Sequence, residues 1–144
     1  MKRTMGILSL IFITALLVAS GRPAEDKDKS DSDMLQGTWK GHELAGDTNG
    51  VVTMIITGKK FEFRGSDTNE WYKGTFTLKE DAKPRQMILV IDACASPEYV
   101  GKTSQAIYEF KEGTLTIAGN EPGNPNVPAG FDAPDARKVA FKKE

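Results

Sequence analysis

Leu35-Gln36-Gly37-Thr38-Trp39-Lys40 is the stretch that decides the fold, because from here on apolar residues recur at every second position. A period of two sends alternate side chains to opposite faces of a strand, and turn residues returning about every ten positions join such strands into an all-β sandwich or barrel. Eight strands are expected, over residues 36–44, 51–57, 60–64, 70–79, 86–93, 104–111, 114–118 and 137–142. In the second, Val52, Met54 and Ile56 share one face and Val51, Thr53 and Ile55 the other. Phe61 and Phe63 lie opposite Glu62 and Arg64, and Tyr72, Phe76 and Leu78 lie opposite Trp71, Lys73, Thr75 and Thr77. The fifth strand is apolar on both faces, which places it on the barrel's most covered side. Ala106, Tyr108 and Phe110 alternate with Ile107 and Glu109, and Val139 and Phe141 point inward between outward lysines. Antiparallel strands joined in order by short turns satisfy every edge only by closing on themselves. The expectation is an all-β, eight-stranded antiparallel up-and-down barrel, the size whose interior is either just filled or holds one small ligand. No stretch carries a helical period long enough to compete.

Upstream of this domain the chain changes character twice. Lys2 and Arg3 precede an apolar run from Met5 to Ala19, roughly fifteen residues, which suits a signal peptide and falls short of the roughly twenty that span a bilayer as a helix. Small residues at Val18-Ala19-Ser20-Gly21 suit cleavage after Ser20 or Gly21, so residues 1–21 are read as a cleaved signal peptide. Leu17-Val18-Ala19-Ser20 has the form of a lipoprotein box without its cysteine, leaving nothing to acylate. The expected product is therefore periplasmic or secreted, with no membrane span in the mature chain. Residues 22–33 mix Pro23, lysines, acids and serines with almost no apolar side chains, and read as a disordered acidic and polar linker. The barrel domain occupies residues 34–144.

Charge and cysteine content narrow the function. Removing Lys2 and Arg3 takes Lys+Arg from 19 to 17 against 20 acids, a formal charge of −3. A weakly acidic chain without a basic stripe lacks the electrostatic attraction that nucleic acid requires. Cys94 is the only cysteine, so no internal disulfide forms, and its place at the end of the most apolar strand points to burial as a small hydrophobe. The chain is expected to be a monomer.

Catalysis fails by subtraction. His42 is the sole histidine and falls on the outward face of the first strand, so neither a histidine metal site nor a pair of imidazoles exists. No spacing brings Cys94 to His42 as nucleophile and base. Asp92 and Glu109 are the carboxylates that a glycosidase pair would need, yet scattered carboxylates in a charged chain ordinarily sit solvated. There is no phosphate-binding glycine loop, GxSxG elbow or HExxH. The expectation is no enzyme, no catalytic or metal residues and no cofactor.

Leu35-Gln36-Gly37-Thr38-Trp39-Lys40, Gly74-Thr75-Phe76-Thr77-Leu78, Ile107-Tyr108-Glu109-Phe110 with Gly113-Thr114-Leu115, and the closing Val139-Ala140-Phe141-Lys142-Lys143 together resemble a small lipocalin-like domain family expanded in planctomycete bacteria, one without an established activity. The similarity covers residues 34–144. Gly37-Thr38-Trp39 also matches the glycine-any-tryptophan signature of lipocalins proper. That resemblance implies that Trp39 plugs the closed end of the barrel and that Gly37 lets the chain bend against it. It also implies a late arginine stacked on the tryptophan, for which Arg137 is the candidate in the last strand. Val127-Pro128 stands where the family carries an arginine-proline pair.

Two functions compete on these grounds. In the first, a calyx lined by some of Trp39, Ile55, Phe61, Phe63, Phe76, Leu89 and Tyr108 takes a small lipophilic ligand at the barrel mouth. In the second, the barrel is filled and acts as an interaction module for an envelope protein, using exposed residues such as Trp71 and Tyr99. At about 110 folded residues the chain is shorter than ligand-carrying lipocalins, which points to a nearly solid core with at most a shallow site. The proline-rich segment 120–134 forbids regular structure. It reads as a strap across a sheet edge, or as a lid that dips Val127 and Phe131 into the mouth.

Overall fold

The computed structural model describes residues 29–46 and 49–144. The expected signal peptide and residues 22–28 of the expected linker lie outside the described residues. The chain forms one closed barrel of eight strands in sequence order: β1 (Gly37–Glu43), β2 (Val51–Thr57), β3 (Lys60–Arg64), β4 (Trp71–Lys79), β5 (Arg85–Cys94), β6 (Thr103–Lys111), β7 (Thr114–Gly119) and β8 (Arg137–Lys143). All neighbours are antiparallel, and β8 returns to β1 with Lys143 opposite Trp39 and Val139 opposite Glu43. The all-β up-and-down barrel read from the alternation is the fold, and closure pairs every strand on both sides among the described residues.

Strand direction makes the two ends of the barrel unlike. At one end lie the short hairpins at Gly58-Lys59, 80–84 and Glu112-Gly113, together with a short helix α1 (Asp31–Leu35) that runs directly into β1. At the other lie the longer connections 44–50, 65–70, 95–102 and 120–136, one of which holds a 3-10 turn at Pro97–Tyr99. The first end is closed and the second open.

Two differences from the sequence reading have plain causes. Residues 31–33, expected in the linker, are the first turn of α1. The Ser30 hydroxyl accepts from the Asp33 N–H at 3.2 Å, Asp31 and Asp33 suit the positive helix start, and Leu35 is wholly buried. A helix this short gains its stability from what it touches rather than from its own hydrogen bonds. The fifth strand is not the covered one either. Its outward Ile88 is half-buried and Val90 is 36% exposed, because the apolar outer face of β5 meets solvent rather than a second layer.

Inward positions build a single core from Leu35, Trp39, Val52, Met54, Ile56, Phe61, Phe63, Phe76, Met87, Leu89, Ile91, Ala106, Tyr108, Leu115, Ile117, Val139 and Phe141. Two glycines make the tight closure possible. A Cβ at Gly41 would stand 2.0 Å from the Ala140 carbonyl oxygen, and one at Gly74 would stand 1.8 Å from that of Val90. Between Lys73 and Gly74 the β4–β5 register shifts, an irregularity in the ladder beside this close approach.

Candidate functional site

The closed end is solid. Trp39 is 5% exposed, its indole N–H donates to the Leu35 carbonyl at 2.8 Å, and its ring tilts against Phe110 at 6.4 Å. The backbone of Gly37 takes φ +119, which lets the chain turn from α1 under the indole. The cation over the indole is Lys143, with Nζ 5.6 Å from the ring centroid. Arg137, the candidate from the resemblance, is six residues earlier on β8 and therefore at the opposite end.

Beside Trp39 the plug continues in a polar cluster. Arg85 bonds both carboxylate oxygens of Asp31, at 3.1 and 2.9 Å, and the Tyr108 hydroxyl donates to Asp31 Oδ2 at 2.7 Å. The guanidinium lies over the Tyr108 and Phe110 rings at 5.4 and 5.6 Å. Burial, the hydrogen bond to Asp31 and that carboxylate's charge all push the Tyr108 hydroxyl well above the ordinary tyrosine range. Gln36 adds a clasp, exchanging hydrogen bonds with Gly58 at 2.9 and 2.7 Å and so fixing the β2–β3 hairpin under α1.

The open end holds a cavity of about 300 Å³. Met54, Phe61, Phe63, Leu89, Ile91, Ala106, Ile117, Val139 and Phe141 form its apolar wall, and Tyr72, Tyr99, Ser104, Asn120, Glu121, Asp135 and Arg137 its polar rim. A second, more polar cleft of about 340 Å³ lies on the other side of Tyr72 and Tyr99, against Asp67, Asn69 and Glu70.

The rim is built from opposed charges. Arg137 bonds Glu43 of β1 and Glu70 of the 65–70 connection, and its guanidinium lies 5.1 Å from the Phe63 ring centroid. Burial pulls the guanidinium's pKa down, and the two carboxylates outweigh it, leaving the group more firmly protonated than usual. The Tyr99 hydroxyl donates to Glu121, which pushes its pKa up to about 12. Burial and the charge of Glu70 raise Tyr72. The Ser104 hydroxyl donates to the Asn120 carbonyl at 2.7 Å, and the Asn120 amide to the Asn126 carbonyl at 2.7 Å, so the start of the 120–136 connection is tied down.

Of the seven residues proposed for the calyx, Phe61, Phe63 and Leu89 line the cavity. Trp39, Phe76 and Tyr108 are buried in the core outside the cavity lining. Ile55, expected in the calyx, instead faces the outside of the barrel: in β2 the inward phase belongs to Val52, Met54 and Ile56, and Met54 stands opposite Phe63. Both faces of this strand are apolar, so composition hides which one turns inward, but the phase alone places Met54 with Val52 and Ile56. Arg137, Tyr72 and Glu121 have no such signal, since what makes them a rim is the meeting of three connections. The 120–136 segment offers Asn120, Glu121, Pro122 and Asp135 to the mouth, and Val127 and Phe131 are not among the lining residues.

The remaining candidates scatter. His42 is exposed, with Nδ1 3.1 Å from the Gly50 carbonyl. Cys94 is half-buried and its thiol donates to the Ser96 carbonyl at 2.9 Å. Asp92 and Glu109 both face outward, at opposite ends of the β5–β6 ladder. Among the described residues no three His, Cys, Asp or Glu side chains gather to hold a metal ion, and no helix is long and apolar enough to cross a membrane. No family model matches the chain, and neither a curated protein nor a solved structure matches it.

Proposed function

We propose that this chain is an exported, lipocalin-like binding protein that takes a small lipophilic molecule into the open end of its barrel. One observation carries the reading: the interior is divided, with Trp39, Tyr108, Phe110 and Leu35 filling the closed end and a cavity of about 300 Å³ remaining at the other. That volume is at about the lower bound for small-molecule sites, and an apolar wall with a few convergent polar groups is the usual form of such a site. The alternative of a filled barrel acting on an envelope protein needs an interior without room for a ligand, which the cavity weighs against. The signal-like segment 1–21 supports export, and the same segment supports a soluble mature chain, since it lacks the cysteine an acyl anchor needs.

Native mass spectrometry of the protein purified from its own envelope tests the reading. A stoichiometric non-covalent adduct is expected, on a polypeptide whose mass lacks the first twenty or so residues. A folded charge distribution at the bare polypeptide mass overturns the carrier and favours the interaction module.

A further inference from the structure

We infer that the molecule this cavity selects is a small organic ammonium on an apolar body rather than a carboxylate. The inference rests on the carrier reading and adds the charge of the head group.

The mouth is acidic from several directions. Glu121 and Asp135, from the two ends of the 120–136 connection, line the cavity itself; Glu43 of β1 and Glu70 reach its edge through Arg137, and Asp67 and Glu70 line the adjoining cleft. Among the described residues Arg137 is the one cation lining the cavity, and it is already engaged by both Glu43 and Glu70. Lys102 lies nearby with its stem along Gly123, outside the lining. A ligand carboxylate would therefore have to displace an existing ion pair to gain a partner, and would face the uncompensated charges of Glu121 and Asp135. Glu121 has a neutral hydroxyl, that of Tyr99, as its donor, which leaves its negative charge in place. Asp135 is exposed and makes no ion pair among the described residues.

The rings at the mouth favour the same sign. Phe63, Tyr72 and Tyr99 follow one another at centroid distances of 6.1 and 6.4 Å, leading from the apolar wall to the rim. Aromatic faces attract cations and repel anions, and a desolvated ammonium over such a face gains the most. Arg137 over Phe63 is the protein's own use of that attraction. Carboxylates interleaved with aromatic faces, above an apolar chamber, suit an ammonium whose hydrocarbon portion enters the barrel. Among the described residues no three of these carboxylates gather as a site for a bare metal ion.

Calorimetric titration of the mature chain with 2-phenylethylammonium, 2-phenylethanol and 3-phenylpropionate separates head-group charge from ring size. The ammonium is expected to bind about tenfold or more tightly than the carboxylate, with the margin shrinking as salt rises. The double variant Glu121→Gln, Asp135→Asn keeps an acceptor for Tyr99 and should bring the ammonium and the alcohol to within about threefold of each other. Carboxylate binding as tight as ammonium binding overturns the inference and leaves the carrier reading standing. An ammonium preference that survives the double variant overturns the assignment of these carboxylates, and failure of the ammonium to bind overturns the inference, while the carrier reading stands or falls with the envelope-derived adduct.

Discussion

Trp39 answers three demands at one position. Its ring fills the barrel floor against Phe110, its N–H satisfies the carbonyl that ends α1, and its outer face is covered by the Lys143 ammonium. Truncation removes all three, leaving a void and an unpaired Leu35 carbonyl. We expect Trp39→Ala to lower stability by about 3–5 kcal/mol in urea unfolding, as for other buried aromatics. A loss below about 1 kcal/mol would show that the floor closes without the indole. Lys143→Ala, by contrast, should cost no more than about 1 kcal/mol, because a solvent-facing ammonium over an aromatic ring gains little. The two effects together separate the plug from its cover.

At the scale of elements, α1 matters through Asp31, which ties the helix to β5 and β6 at once. Arg85 and Tyr108 are 54 and 77 positions from Asp31, so no local pattern announces the cluster. Removing the Tyr108 hydroxyl leaves Asp31 its arginine but one donor fewer, at a cost of about 1–3 kcal/mol. The pH dependence follows from the raised Tyr108 pKa. In the unfolded chain the hydroxyl ionises near pH 10, while in the folded chain it holds its proton higher. Its contribution is therefore complete below about pH 10 and declines as pH rises from there toward the folded value. Urea midpoints of the protein and of Tyr108→Phe should differ fully at about pH 8, and the difference should shrink steadily once the pH passes about 10. A difference that stays constant would mean that Tyr108 titrates normally. The strands were legible because closure obeys local rules: period two within each, turn residues between, and bounds within one residue of those expected. The helix was not, since five residues ending in one buried leucine show no period, and neither was the inward face of β2, where both faces are apolar. The aromatic half of the site was readable as inward phase, whereas its charged rim exists only where connections distant in sequence converge.

At the scale of the whole molecule, the packed floor and the cavity lie at opposite ends of the barrel. Each end is clasped by an arginine held to carboxylates, Arg85 to Asp31 below and Arg137 to Glu43 and Glu70 above, and the upper one borders the cavity. If stability resides mainly in the filled end, the cavity can be occupied by protein without harm to the fold. Gly119, at the open end of β7, allows the test. A Cβ there would meet the Ala106 Cβ at 3.6 Å and the Ser104 Oγ at 3.7 Å, ordinary contacts, and the residue lines the cavity. Valine suits a strand and extends from that Cβ into the chamber. Gly119→Val should change the urea midpoint by an amount equivalent to less than about 1 kcal/mol, since filling existing space does not force the overpacking that destabilises cores. The same variant should lose the envelope-derived adduct, or bind 2-phenylethylammonium about tenfold more weakly. A variant that folds normally and retains its ligand in full would place the ligand somewhere other than this chamber. A variant destabilised by more than about 2 kcal/mol would show that the open end has no room to give, and that the barrel is packed along its whole length.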